Sequence, residues 1–389
     1  MPLAEANAIL SVLHNRTYRH LFMAQVIALL GTGLATVALA LLAFELAGDA
    51  AGTVLGTALA VKMIAYVGVA PVASAFTGRL PRSATLVSLD MVRALVALLL
   101  PFVTQVWQVY VLIFILQSAS AAFTPTFQAT IPDILTDEDD YTNALALSRL
   151  AYDLENLISP MLAALLLSFI SFHFLFAGTS AGFILSAAFV LSVALPIAAR
   201  AGQQGGIYDR TTRGVRLYLA TPRLRGLFAV NLTIAAAGAL VIVNTVVYVQ
   251  GRFGLTQGYT AWAMAAFGGG SMAAALMLPR LLKRITDRTV MVSAAGLLTL
   301  ATLAASQVEN YAHLLPVWFV IGLGYAGASV PSGRLLRRSS GEEDRPALFA
   351  AQFALSHSCW LFTYPVAGWM GKIAGLAETA FALSVVAAA

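Results

Sequence analysis

The sequence predicts an all-α polytopic membrane protein with twelve transmembrane helices in two pseudo-symmetric six-helix bundles. Of its 389 residues, 59% are hydrophobic and 11% are charged, whereas soluble domains carry roughly 25% charged residues. The mean hydropathy is +0.82. A water-soluble protein of this size could not cover so much apolar surface. Long apolar runs also recur along the whole chain, separated by short polar turns. A lipid bilayer is therefore the predicted solvent.

Twelve apolar runs are long enough to cross that bilayer. A span needs about 20 mostly apolar residues, and in lipid only helices or closed barrels satisfy the backbone hydrogen bonds. The runs do not alternate in polarity, so we predict helices. The first run has no A-x-A exit, and we expect it to be retained as span 1. The predicted spans begin near Tyr18, Thr53, Thr85, Trp107, Asn143, Phe174, Leu224, Tyr259, Thr289, Leu314, Pro346 and Ala374.

The basic residues predict the orientation of the spans. With the N-terminus inside, 18 of the 23 Lys and Arg residues fall in cytoplasmic segments, and only Arg252 and Lys372 fall in outer ones. Cytoplasmic loops carry such an excess of Lys and Arg. We therefore expect both termini in the cytoplasm, and we attribute the net charge of +5 to membrane orientation instead of nucleic acid binding. The single cysteine, Cys359, excludes an intrachain disulfide and a Cys-based metal cage.

The longest polar gap divides the spans into six plus six. It runs from Arg200 to Arg225 and opens with a Gly- and Gln-rich stretch typical of a flexible linker. Its second half is basic with interspersed Leu, Val and Tyr, which predicts a short amphipathic helix on the membrane surface. The predicted domains are an N-terminal bundle over 1–199, a cytoplasmic linker over 200–225 and a C-terminal bundle over 226–389.

Both halves carry a short basic turn after their second span. Gly78–Arg82 follows span 2, and Pro279–Lys283 follows span 8, so that Arg79 and Arg280 lie 201 residues apart. Parallel repeats of six helices are a known transporter construction. With twelve spans and a long basic central loop, this pattern resembles the major facilitator superfamily over essentially the whole chain.

Short motifs refine the resemblance. In the loop after span 2, Ser74 and Gly78 stand where the family carries Gly and Asp, and only the basic residues match. Asp90-x-x-Arg93 looks like the acid-base pair that opens span 3 in the efflux-type branch. Ile158-Ser159-Pro160 stands where antiporters carry Gly-Pro, and TPRLRGLF from Thr221 also resembles that branch. The resemblance implies a cytoplasmic gate formed by Arg79, Arg82, Asp90, Arg93, Arg280 and Lys283.

Predicted spans 2 and 5 carry ionisable residues near their middle. A charge near the bilayer centre costs roughly 2.5–3.5 kcal/mol, so such groups face a partner or water and mark function. Lys62 on span 2 and Glu155 on span 5 lie at similar depth, and Glu155 has no local partner on its own helix face. We expect Lys62, Arg149, Asp153 and Glu155 to couple proton and substrate, with Glu155 the better proton carrier. The alternatives are a structural role for Lys62 and neutralisation of Asp153 by Arg149, its i,i+4 neighbour.

Polar stripes mark the expected cavity, since the resemblance places spans 1, 4, 7 and 10 around it. The candidate lining residues are Gln25, Thr32, Thr36, Gln117, Ser120, Thr124, Asn244, Tyr248, Tyr325, Ser329, His357 and Trp360. For each Ser or Thr the alternative is an interhelical hydrogen bond. For His357 the alternative to a metal or proton ligand is a hydrogen-bonded packing group.

The resemblance implies a secondary transporter, and we expect proton-coupled export of a small organic or amphipathic compound. The proton gradient supplies the energy, with no cofactor and no bound metal. We expect a monomer in a bacterial inner membrane whose partners are the bilayer and the substrate, with no nucleic acid. A divalent metal exporter of the nickel or cobalt type and a lipid flippase are the alternatives. No enzyme is expected, because the chain has neither His-x-x-x-His nor Gly-x-Ser-x-Gly.

Overall fold

A computed structural model describes residues 9–47, 51–77, 80–196 and 207–388. Within these ranges the chain forms thirteen α-helices and no β-strand. The helices are α1 Arg16–Ala47, α2 Ala51–Thr77, α3 Arg82–Leu99, α4 Val106–Ile134, α5 Glu138–Leu167, α6 His173–Leu191, α7 Ile207–Ala220, α8 Pro222–Val246, α9 Gln257–Arg284, α10 Asp287–Ala305, α11 Tyr311–Arg338, α12 Arg345–Ile373 and α13 Leu376–Ala388. A π-helical turn over Val247–Arg252 extends α8.

The predicted spans correspond to α1–α6 and α8–α13, each beginning within five residues of its expected start. The largest difference is at α5, which was expected near Asn143 and begins at Glu138. Asp137 caps this helix by accepting hydrogen bonds from the backbone N–H groups of Asp139 and Asp140, at 2.9 and 3.0 Å. An acidic first turn is favourable at a helix N-terminus, but hydropathy does not reveal it.

Nine of the described helices are long and apolar enough to cross a membrane by length and composition alone. The short apolar helix α13 has 13 residues. The remaining two transmembrane helices, α5 and α12, carry charged or polar side chains along their length, among them Glu155 and His357. Together these form the twelve transmembrane helices of the fold.

The two six-helix bundles, α1–α6 and α8–α13, repeat one packing arrangement. In the first bundle α1 packs on α5 and α6, α3 packs on α4 and α6, and α2 packs on α4. The equivalent pairs of the second bundle, α8 with α12 and α13, α10 with α11 and α13, and α9 with α11, are also in contact. This correspondence is the pseudo-symmetry that the sequence predicts. The residue limits 1–199, 200–225 and 226–389 stay a prediction.

The bundles meet along two equivalent seams. Helix α2 packs on α12, and α5 packs on α9, with further contacts of α4 with α12 and of α5 with α11. Within the second bundle, α9 and α11 approach closely because Gly270 has no side chain. A Cβ atom there would lie 2.0 Å from the carbonyl oxygen of Phe319. Gly270 thus serves close helix packing.

Helix α7 occupies the linker and is attached to the start of α12. Gly214 packs directly on the backbone of Ala347, the Tyr218 hydroxyl donates to Gln352 Oε1 at 2.5 Å, and Arg213 pairs with Asp344 at 2.8 Å. The helix also contacts α2. It therefore touches both bundles at the end that carries most arginines, which we call the basic face.

Candidate transport site and gate

The predicted coupling residues Lys62 and Glu155 come together with His357 between the bundles. Lys62 of α2 and Glu155 of α5 are half-buried. The charge of Lys62 acts on both the Glu155 carboxyl group and the His357 ring of α12. No carboxylate of the described residues reaches ion-pair distance from the Lys62 ammonium. Lys62 lies 15 residues from the basic end of α2 and Glu155 17 residues from that of α5, or about 23 and 26 Å at 1.5 Å per residue.

The Lys62 ammonium lies beside an aromatic cluster. Its Nζ lies 5.5 Å from the centre of the Tyr66 ring, within the range of a cation–π interaction. Tyr66 packs on Phe353 and His357 with ring centres 4.9 and 4.7 Å away. Its hydroxyl donates to Gln117 Oε1 at 2.9 Å, which fixes the ring. The site therefore combines one cation, one carboxylate and a wall of aromatic faces contributed by both bundles.

Glu155 lies next to a close approach of α1 and α5. A Cβ atom on Gly33 of α1 would lie 2.2 Å from Ser159 Cβ and 3.2 Å from Glu155 Oε1. The Ser159 hydroxyl is buried without a hydrogen-bond partner among the described residues. Only glycine at position 33 allows this contact, so α1 helps to define the space next to the Glu155 carboxyl group.

Arg149 and Asp153 form an ion pair on α5 that reaches into the second bundle. Arg149 Nε lies 3.1 Å from Asp153 Oδ2 and donates to Ser271 Oγ of α9 at 3.0 Å. Its guanidinium group lies 4.6 Å from the centre of the Tyr325 ring of α11. Neutralisation of Asp153 by Arg149 is the alternative that the sequence left open. The ion pair therefore lies against α9 and α11, the two helices of the second bundle that α5 contacts.

The remaining lining candidates make mostly local contacts. Gln25 Oε1 accepts a hydrogen bond from Ser148 of α5 at 3.2 Å, and Thr124 is half-buried on α4. The His357 ring nitrogen Nδ1 bonds the carbonyl of Phe353 at 2.7 Å. Hydroxyl groups that donate to the carbonyl four residues earlier are those of Thr32, Thr36, Ser120 and Ser329. Trp360 packs its ring against Gly238 of α8.

Asn244 and Tyr248, also predicted as lining residues, are buried within the second bundle. Asn244 Nδ2 donates to the carbonyl of Ala367 at 3.3 Å, and the Tyr248 hydroxyl donates to the carbonyl of Ala305 at 3.0 Å. Both side chains are at most 1% exposed. In this structure they hold helices of one bundle together, which is the interhelical role that the sequence left open.

Two charge clusters join the bundles at the basic face. In the first triad, Asp133 of α4 pairs with Arg82 of α3 through one oxygen and with Arg345 of α12 through the other. The three side chains are at most 18% exposed. One carboxylate thus holds two arginines, one from each bundle.

The second triad has the equivalent place on the other seam. Arg334 of α11 lies 3.0 Å from Asp287 of α10 and 2.8 Å from Glu138 of α5. Arg338 adds contacts to both carboxylates. The positions match those of the first triad helix by helix, since α3, α4 and α12 correspond to α10, α11 and α5. The charge at each of the three positions is opposite in sign to that of its counterpart in the first triad.

The other predicted gate residues are placed in three ways. Lys283 of α9 pairs with Asp139 of α5 at 2.5 Å across the bundles, and Arg280 lies one turn earlier on α9. Asp90 pairs with Arg93 and accepts a hydrogen bond from Ser186 of α6 at 2.8 Å, all inside the first bundle. The partner of Asp90 is therefore Arg93, whereas Arg82 binds Asp133. Arg79 lies outside the described residues.

Sequence reasoning missed the triads. The sequence predicts only a cytoplasmic position for Arg334 and Arg345, and no site role for Asp133, Glu138 and Asp287. Arg82 and Asp287 are the first residues of equivalent helices, and this spacing was the available signal. The partners across the bundles lie 196 and 212 residues apart and have no local pattern.

Outside the membrane, the Asp137 carboxyl group has a shifted pKa. Hydrogen bonds from the backbone N–H groups of Asp140 and Asp139 hold its pKa below the usual range, and the Arg337 and Lys283 charges act in the same direction. Arg337 also donates to the carbonyl of Thr136. The turn before α5 is thus tied to the end of α11 in the other bundle.

Comparison with known proteins identifies the family. The sequence model of the major facilitator superfamily matches residues 21–259 and 226–389. No curated protein sequence matches the chain. The fold is similar to that of the human organic anion transporter MFSD10 (TETRAN), with a TM-score of 0.81 at 15% identity, over 96% of this chain and 98% of that one.

A second solved structure with this fold is the E. coli fucose:proton symporter FucP. Its TM-score is 0.74 at 13% identity, and the match covers 95% of this chain and 96% of that one. At these identities the similarity concerns the fold. The family match extends over nearly the whole sequence, and so the chain belongs to the major facilitator superfamily and is a transporter, not an enzyme.

Proposed function

We propose that the protein is a proton-coupled exporter of a small organic or amphipathic compound, working by alternating access. The observation that carries this proposal is the placement of Lys62 and Glu155. Two ionisable groups of opposite sign lie half-buried at mid-depth, next to His357 of the other bundle. Intramembrane charges are costly and mark ion or proton pathways. Proton loading at this layer can therefore respond to relative movement of the bundles.

The gate follows from the charge clusters. The described ion pairs that join the bundles lie toward the basic face, in the two triads and in the Lys283–Asp139 pair. Closure there leaves the Lys62 layer to open toward the opposite face. Transport then requires these pairs to break as the bundles rock, while Arg149–Asp153 slides along α9 and α11.

Direction and location rest on the resemblance and on the basic residues. We place the basic face in the cytoplasm of a bacterium, with the protein as a monomer in the inner membrane. Export is the direction of the efflux branch that the motifs resemble. The proton gradient supplies the energy, without a cofactor.

The substrate is proposed as an organic compound because the site is aromatic. Among the described residues no three His, Cys, Asp or Glu side chains come together as a metal site would need, so no observation favours a metal exporter. The two structural neighbours are named for an organic anion and for fucose with a proton. A lipid flippase shares this fold, and lipid translocation in reconstituted vesicles would reveal one.

The proposal is tested by efflux from loaded cells. Cells producing the wild-type protein are loaded with fluorescent organic and amphipathic compounds, and efflux is followed before and after a protonophore. We expect efflux that stops when the gradient collapses and that is absent from the Lys62→Ala and Glu155→Gln variants. Efflux that survives the protonophore would refute proton coupling, and normal efflux by both variants would refute the site.

A further inference from the structure

A cavity lies between the end of α8 and the start of α13, at the face of the protein opposite to the basic face. Its volume is about 500 Å³, and ligand sites commonly have volumes of about 300–1,000 Å³. The lining residues are Val247, Gly251, Arg252, Leu376, Ala377 and Glu378. The cavity therefore presents one guanidinium group and one carboxylate beside apolar side chains, all from the second bundle.

The acid and the base of this cavity are kept apart. Among the described residues, Arg252 and Glu378 form no ion pair with each other, and both are exposed. In the first bundle the corresponding helix ends carry Glu45 on α1 and His173 on α6, whose side chains approach to 3.9 Å. The signs are reversed there and the two groups face one another. In the second bundle the two charges instead line one cavity.

A π-helical turn shapes one wall of the cavity. Over Val247–Arg252 the chain leaves the α-helical pattern, and the N–H group of Phe253 donates to the carbonyl of Tyr248, five residues earlier, at 3.0 Å. Such turns are rare and are frequent at functional sites. Gly251 leaves this wall without a side chain, since the nearest side chain that a Cβ atom there would meet is Val247, at 3.6 Å.

Buried contacts hold the two walls together. Tyr248 is fully buried, and its hydroxyl donates to the carbonyl of Ala305 at the end of α10, at 3.0 Å. The same hydroxyl lies 3.4 Å from the carbonyl oxygen of Leu376, the first residue of α13. The π-helical turn is thus tied to both neighbouring helices. A ligand meets a preformed cavity, which lowers the entropic cost of binding.

The cavity lies at the level of the phospholipid headgroups. Trp262 of α9 and Trp369 of α12 lie near the ends of their helices at this face, and each is 72% exposed. Tryptophan is enriched at the membrane–water interface, so these two side chains mark its depth. Headgroups of the surrounding bilayer are therefore within reach of Arg252 and Glu378.

We propose that this cavity binds the headgroup of phosphatidylethanolamine, with the phosphate on Arg252 and the ammonium group on Glu378. An arginine fork matches a phosphate with two parallel hydrogen bonds, and a primary ammonium group offers three N–H donors to a carboxylate. Phosphatidylglycerol has no cation for Glu378, and phosphatidylcholine has no N–H donor. The site is separate from the proposed transport path and goes beyond the proposed function.

The test is native mass spectrometry of the purified full-length protein, mixed with equal amounts of phosphatidylethanolamine, phosphatidylcholine and phosphatidylglycerol that have the same acyl chains. Arg252→Gln and Glu378→Gln each remove one charge, and Gly251→Leu fills the cavity and leaves both charges in place. Gly251→Ala, which adds only the tolerated Cβ, and Glu45→Gln, in the counterpart pair, are the matched controls. A thermal-shift assay confirms that each variant is folded.

We expect wild type to retain one phosphatidylethanolamine molecule in preference to the other two lipids. Each charge variant should bind it about tenfold more weakly or worse, the effect of losing a hydrogen bond to a charged group. Gly251→Leu should lose it, and both controls should retain it. Soluble glycerophosphoethanolamine should not displace the lipid at equal concentration, because it lacks the apolar contacts of the acyl chains.

Three results would overturn the inference. They are equal retention of the three lipids by wild type, unchanged retention by Gly251→Leu, and displacement of the lipid by an equal concentration of glycerophosphoethanolamine. The last result would assign the cavity to a soluble zwitterion. None of them bears on protonophore-sensitive efflux, which has its own test.

Discussion

Glu138 and Arg345 are the first residues of equivalent helices, α5 and α12, and carry opposite charges. Each reaches across to the other bundle, Glu138 to Arg334 of α11 and Arg345 to Asp133 of α4. The intrabundle partners of Asp133 and Arg334 are likewise reversed in charge, since Arg82 begins α3 and Asp287 begins α10. The closed basic face is held by two clusters that share a geometry and differ in sign.

Among the residues of the two triads, Asp133 is the one whose loss should open the gate most. Asp133→Asn leaves Arg82 and Arg345 side by side without a carboxylate, and removal of one partner of a buried ion pair costs about 3–5 kcal/mol. We expect the basic face to open. Distances between spin labels placed on the basic ends of α4 and α12 should lengthen or become bimodal.

The matched control is Asp209→Asn. Asp209 pairs with Arg216 at 2.8 Å within α7, and both side chains are more than half exposed. Exposed pairs contribute about 0–1 kcal/mol, so the label distances should stay as in wild type. Identical distances in both variants would show that the first triad does not hold the gate.

Loss of Glu138 should open the basic face more than loss of Asp139, its neighbour on α5. Glu138 pairs with Arg334, whose side chain is 7% exposed, whereas Asp139 pairs with Lys283, whose side chain is 54% exposed. Glu138→Gln should therefore increase the labelling rate of a cysteine introduced at the basic face more than Asp139→Asn does. Loss of the exposed Asp139–Lys283 pair should cost about 1 kcal/mol or less. The reverse order of labelling rates would contradict the role given to the second triad.

Gly33 should tolerate no side chain. Gly33→Ala places a Cβ 2.2 Å from Ser159 Cβ, and such overpacking costs about 1–3 kcal/mol. We expect a lower melting temperature and weaker transport, because α1 must move away from Glu155. Gly68→Ala on α2 is the control, since a Cβ there meets no atom within 4 Å.

A second-site variant sharpens this prediction. The double variant Gly33→Ala with Ser159→Gly removes the atoms that clash and should recover much of the lost stability. A single Gly33→Ala variant as stable and active as Gly68→Ala would show that the approach of α1 to α5 is not needed.

The Asp137 cap gives a pH-dependent contribution. Its folded-state pKa lies below the ordinary value, so its stabilisation is complete above about pH 4 and is lost as the pH falls through the folded-state pKa. Asp137→Ala should lower the melting temperature at neutral pH, and the difference from wild type should shrink in acid. Asp137→Asn keeps a capping oxygen and should lower the melting temperature less than Asp137→Ala. Its capping group does not titrate.

The helices were predictable from sequence and their long-range partners were not. Apolar runs located every span, and the basic linker signalled the amphipathic helix α7. Lys62 and Glu155 could be matched because depth follows from residue count along two helices. Asp133 gave no such signal: its partners Arg82 and Arg345 lie 51 and 212 residues away, and only the assembled seam brings them together. Asn244 and Tyr248 share the polarity of cavity residues, but helix rotation places them inside a bundle.

Substrate-induced dissipation of a proton gradient tests the central claim most directly. Everted membrane vesicles containing wild type, Lys62→Ala or Glu155→Gln are energised, and an acridine dye reports the pH gradient while a panel of organic and amphipathic compounds is added. We predict that at least one compound dissipates the gradient in wild-type vesicles and not in either variant. Equal dissipation in all three would contradict proton coupling through Lys62 and Glu155.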